Sequence, residues 1–268
     1  MSSIDIIDAA GDGYRFVWRE RTYLARIALF PILIKLICFN LVYSFGFEQN
    51  FIAQALVLLP SFFADGWMLA HVARTILVDH RWPFRPSGNM DKDMVKLQER
   101  ALGILRGTLV FVFTEFLITG VVGIVKRYFE IDFAQAIKDE NMAMIFVLML
   151  AISTTIWTFR FLWLYIPAAV NFPIRTFILK LGSFSTSLYL IGLWLVCFLP
   201  LLFAFNILVS VLFPGLVENG TAGVSAFEDA AFKSLRVLLD TAVIILTTAS
   251  MTFAFKQLYQ KPDPEKKT

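Results

Sequence analysis

Ionisable side chains that fall inside long apolar runs include Lys35, Asp65, His71, Glu115, Arg160 and Asp240. A charge in hydrocarbon costs at least ~2.5–3.5 kcal/mol unless it is shielded or paired, so each of these needs a partner or a polar cavity. Lys35 and Asp65 lie near the middles of the first two runs, Glu115 near the centre of the third and Arg160 toward one end of the fourth. Sequential elements usually neighbour each other in space, which makes Lys35 with Asp65, and Arg160 with Glu115, the expected pairs. Asp240 has Arg236 four residues earlier on the same helical face and is expected to pair with it locally. Two chemistries are open to such groups. They close on one another as glue between helices, or they line a polar path for an ion, a proton or a solute. Structural pairing is the favoured of the two.

Catalytic and metal-binding motifs are missing from the sequence. Gly223-Val224-Ser225-Ala226-Phe227 lacks the final glycine of a nucleophile elbow, and neither a phosphate-binding glycine loop nor a paired-histidine zinc motif occurs. His71 and His80 are nine residues apart, which puts them on different helical faces. Cys38 and Cys197 both sit in apolar runs and read as small buried hydrophobes, with no disulfide framework. No metal and no cofactor are expected, and no enzyme activity.

The elements that must carry these groups are set by composition. Of 268 residues, 58% are hydrophobic and only 17% charged, against roughly 45–50% and about 25% for soluble domains. One globular core cannot hide that surplus, so lipid must face much of it. Crossing a ~30 Å hydrocarbon core takes about 20 apolar residues as a helix, and backbone amides in lipid must be satisfied within their own segment. Six runs qualify, approximately Leu24–Phe45, Phe51–Leu77, Leu102–Val125, Met142–Val170, Phe184–Phe213 and Phe232–Phe255. The expected fold class is therefore all-α, a polytopic transmembrane bundle of about six spans. Residues 1–22 form a cytoplasmic amphipathic interfacial segment, 23–256 the six-span domain and 257–268 a basic tail.

Orientation follows from Lys and Arg near the spans. One side carries fifteen, among them Arg15, Arg81, Lys96, Arg175 and Lys261, and the other five. Both termini are expected in the cytoplasm. The early acidic and basic residues from Asp5 to Arg21 argue against a cleaved signal peptide. Over Ser3–Arg21, Ile7, Tyr14, Val17 and Trp18 fall near one helical stripe beside Arg15 and Arg19, the pattern of a helix lying among anionic headgroups. Asp91–Arg100 resembles a second surface segment leading into the third span. Pro31, Pro60 and Pro200 lie inside spans, and Pro167 near the end of the fourth; each is expected to kink its helix. Gly103 and Gly107, one turn apart, form a candidate close-contact patch. Asn219-Gly220-Thr221 fits a glycosylation acceptor on an outer loop.

Two stretches carry a family likeness. Tyr14–Ile34 has an aromatic-basic lead-in followed by a proline-broken span. Arg160–Val196 has an arginine, a proline, a short basic link and a serine-bearing start to the next span. Together they resemble six-helix bacterial inner-membrane proteins related to the membrane domain of glycerophosphodiester phosphodiesterases. The catalytic domain of those enzymes has no counterpart here, so the resemblance implies a bacterial inner-membrane location and no activity. Asp65-Gly66 followed by Ala70 is similar to the start of the CDP-alcohol phosphotransferase signature. His71 stands where that signature needs arginine, and its downstream aspartates are missing.

Two functions are expected from these residues. The first is a non-enzymatic scaffold, partner-binding or envelope-maintenance component of the membrane. The second is a small transporter or channel subunit with a central charged pathway. The expected partners are membrane lipids and another membrane protein or a second copy of the chain. A net charge of +3 is too mild to suggest nucleic acid.

Overall fold

The apolar runs fold as helices, and no strand occurs among the described residues. The structure is a computed structural model that describes residues 5–47, 50–84, 86, 88–128, 142–180, 183–214 and 225–260. The glycosylation acceptor at Asn219, much of the loop around Lys138, the loop to Gly223 and the tail from Lys261 lie outside the described residues.

The helices are α1 (Ile6–Arg19), α2 (Arg21–Ser44), α3 (Phe51–Val78), α4 (Met90–Tyr128), α5 (Met142–Thr158), α6 (Tyr165–Ala169), α7 (Ile174–Lys180), α8 (Phe184–Leu212) and α9 (Ala226–Gln260). Five of them, α2, α3, α4, α8 and α9, are long and apolar enough to cross a membrane. An integral membrane protein is what this arrangement fits. The surface segment expected at Asp91–Arg100 is continuous with the third span as one helix of 39 residues.

The fourth expected span, Met142–Val170, is not one helix. α5 runs over 17 described residues and ends at Thr158. The chain then tightens into a 3-10 turn over Phe159–Trp163 and restarts as α6. Pro167 supplies the reason, since its ring crowds the carbonyl four residues back, at Trp163, and it has no amide proton to give it. In the first turn of α6 that missing proton needs no partner. Pro31, Pro60 and Pro200 are instead carried inside continuous helices.

α3 is the hub. α2 and α4 both pack along it, and α6 sits against α3 and α4 together. Small residues make this possible. A Cβ on Gly66 would stand 3.1 Å from the Thr108 backbone, and one on Gly107 2.7 Å from the Ala169 side chain. α9 packs on α1, α8, α3 and α2. Its run Thr247, Thr248, Ser250 and Thr252 is buried, and the three threonines bond back to carbonyls on their own helix. That leaves no threonine proton of the run seeking a partner in lipid, and the Ser250 hydroxyl accepts from Cys197 Sγ.

The N-terminal segment does more than lie on a surface. Asp5 caps α1 by accepting from the Ile7 and Asp8 amides. Ala9, Ala10, Gly13 and Phe16 form a buried stripe against the bundle, while Ile7 and Trp18 point outward. Gly13 is what lets α1 approach, because any side chain there would collide with Ser250 of α9.

Candidate functional site

Three helices bring an ion cluster together deep in the bundle. Lys35 of α2 places Nζ 2.9 Å from Asp65 Oδ2 of α3 and 2.7 Å from Asp240 Oδ2 of α9. Thr241 Oγ1 lies 3.5 Å from the same ammonium. Lys35 and Asp65 are only 3% and 4% exposed, whereas the Asp240 side chain is 59% exposed. The expected Lys35–Asp65 pair therefore forms. The expected Arg236–Asp240 pair does not: both residues are on the open face of α9, and Asp240 turns to the buried lysine instead.

Glu115 of α4 is half-buried and close enough for its charge to interact with Asp65, Asp240 and Lys35. It forms no ion pair with Arg160, against expectation. Arg160 is held where the fourth span breaks, with its guanidinium 4.4 Å from the Trp157 ring centre and 4.9 Å from that of Phe161. The break is the reason. It sets Arg160 in the 3-10 turn among aromatic faces, where stacking favours a planar guanidinium.

A second constellation fixes the broken segment, and sequence reasoning missed its main member. Arg74 of α3 is 1% exposed and donates Nη1 to the Ala169 carbonyl at 2.7 Å. Its Nη2 lies 3.1 Å from His80 Nδ1. Gly103 leaves room for this contact, since a Cβ there would strike both Arg74 and the Ala169 oxygen. Asn171, in the left-handed conformation at φ 58°, donates to the Glu99 carbonyl and accepts from Arg106. The Ala169 carbonyl, at the end of α6 and without a helical partner, is thus met by Arg74 of α3, and the Asn171 side chain ties the following residues to α4. The signal was present: Arg74 is a charge in an apolar run, three residues after His71 and on the same face.

His71 itself is 1% exposed, edge-on to Trp67 at 4.7 Å between ring centres. Its Nδ1 has no hydrogen-bond partner among the described residues. No cluster of three or more potential metal ligands occurs among the described residues, and Cys38 and Cys197 are free and buried. No known family, curated protein or solved structure matches this chain.

Proposed function

We propose that this protein is a non-catalytic component of a bacterial cytoplasmic membrane that acts by binding within the bilayer, as a scaffold or envelope-maintenance protein with both termini in the cytoplasm. The closure of Lys35 on Asp65 carries this reading. A conducting path needs water at its charges, and this pair is almost wholly sealed. Buried ion pairs of this kind specify which helix faces meet.

Double substitution tests it. Lys35→Met leaves the buried Asp65 without its cation and loses about 3–5 kcal/mol of stability, Asp65→Leu leaves Lys35 its Asp240 contact and loses less, and the double variant recovers most of the Lys35→Met loss. Thermal unfolding in mild detergent reads the difference. Equal, additive losses would remove the pair as the organising contact.

One observation favours a second reading, a small transporter. Asp240 is open, Glu115 is half-buried, and the fourth apolar run is broken. Broken helices and intramembrane carboxylates recur where ions move. Under that reading, Glu115→Gln and Asp240→Asn abolish ion flux in reconstituted vesicles while the protein stays folded. Under the scaffold reading, wild-type vesicles show no flux for them to abolish.

A further inference from the structure

α2 and α4 both pack on α3 but scarcely touch each other, so a groove runs between them over the α3 surface. The groove is apolar, encloses about 690 Å³ and is walled by Phe30 and Ile34 from α2, Phe63 and Trp67 from α3, and Ile104 and Leu105 from α4. Along α3 it reaches from Pro60 to His71, about 16 Å at roughly 1.5 Å per residue. That is close to half of a ~30 Å hydrocarbon core, the depth of one leaflet.

The groove does not end in protein. At the α3–α4 connection it meets a polar cavity of about 820 Å³, and Trp82, Phe84 and Arg100 line both. The polar cavity is rich in cations: Arg19, Arg26, Arg81, Lys96 and Arg100 against Glu20, Asp79 and Asp93. Of the acids, Glu20 is already engaged by Arg19 and Arg81, and Asp93 accepts from the Gly88 amide. Arg26 and Lys96 form no ion pair among the described residues. Arg100 is 6% exposed and sits where the two spaces join, its Nη2 held by the Arg81 carbonyl at 2.6 Å. His80 reports the same positive field from outside the spans. Burial first, and then the charges of Arg74, Arg100 and Lys96, hold it below its ordinary value despite Glu99.

We propose that this continuous space is a phospholipid site, with an anionic phosphate headgroup at Arg26, Lys96 and Arg100 and one acyl chain laid over α3. Its two halves match the two halves of such a molecule. Guanidinium and ammonium groups take phosphate oxygens through charge-assisted hydrogen bonds, and the groove offers an acyl chain three helical walls. The site extends the bilayer-binding reading but uses none of the ion-cluster residues. It can therefore fail while the Lys35–Asp65 result stands, and the reverse.

The test uses the full chain in lipid nanodiscs made of equal parts phosphatidylglycerol and phosphatidylcholine, followed by native mass spectrometry. The wild type should retain phosphatidylglycerol in preference to phosphatidylcholine. Arg26→Gln with Lys96→Gln changes two exposed residues and should cut that preference about fivefold for each charge removed. Ala101→Trp fills the groove from its open side and should release the lipid altogether. Equal retention of both lipids by the wild type overturns the proposal. So does retention that neither variant changes. Competition by free glycerol 3-phosphate as strong as by the lipid would assign the cavity to a water-soluble phosphate compound and overturn the lipid assignment. If Ala101→Trp fails to fold, the headgroup variant and the wild-type selectivity still decide.

Discussion

His80 shows how one hydrogen bond fixes a protonation state. A guanidinium has only donors, so with Arg74 Nη2 at 3.1 Å the His80 Nδ1 must accept, and the ring's single proton belongs on Nε2. Adding a second proton would break that bond and set a cation beside Arg74. The folded value accordingly lies below the ordinary 6.5, through burial and then through the neighbouring arginines. A group whose folded value is lowered keeps its contribution above its unfolded value and loses it as pH falls from there toward the folded one. Stability in detergent should therefore decline below about pH 6.5, and His80→Gln, which can still accept from Arg74, should decline less. Identical acid profiles for the two proteins would free His80 of this role. The same scale shows what sequence could and could not reveal. Lys35 with Asp65 was legible because the two runs are consecutive. Asp240 was not, because its true partner lies 205 residues away while Arg236 offered a local one. Arg160 with Glu115 failed because the break sets Arg160 against the Trp157 and Phe161 rings instead.

Among the elements, hydropathy could not reveal that break. Met142–Val170 is apolar apart from Arg160 and a few hydroxyls, and an averaging window passes over a 3-10 turn whose cause is one proline and after which Arg74 and Asn171 tie the chain to other helices. α1 was half legible. Its stripe of Ile7 and Trp18 reads as interfacial, and both residues face outward; its inward stripe of Ala9, Ala10, Gly13 and Phe16 is too small-sided to register as amphipathic. Glycines that argue against a free helix are the ones a packed helix needs. This yields a prediction. Gly13→Leu should force α1 away from Ser250 and lose about 1–3 kcal/mol, the usual cost of overpacking, whereas Gly11→Leu, with open space around it, should change little. Unfolding of the two variants in parallel checks it. A purely surface-bound α1 would tolerate both.

For the molecule as a whole, the proposed topology turns on the broken segment. Glu20 beside α1 pairs with Arg81 after α3, and Lys256 near the end of α9 donates to the Ile76 carbonyl, so both ends of the described chain gather at one end of the bundle. Asn171 joins them there through Glu99 and Arg106 of α4. Five crossings alone would separate the chain ends, so in the proposed topology α5, the 3-10 turn and α6 together act as a sixth. An interrupted helix within a bilayer is tolerated where the interruption is buried in protein, as Arg160 and Trp163 of the 3-10 turn are. Single cysteines in a Cys38→Ala, Cys197→Ala background make this measurable. Asn50→Cys should react with a membrane-impermeant maleimide in intact cells, whereas Asp91→Cys and Ser183→Cys should react only after permeabilisation, following the bias of Lys and Arg toward their side. Labelling of Ser183→Cys from outside would mean that Met142–Ala169 dips into the bilayer and returns, leaving five crossings and ends on opposite sides.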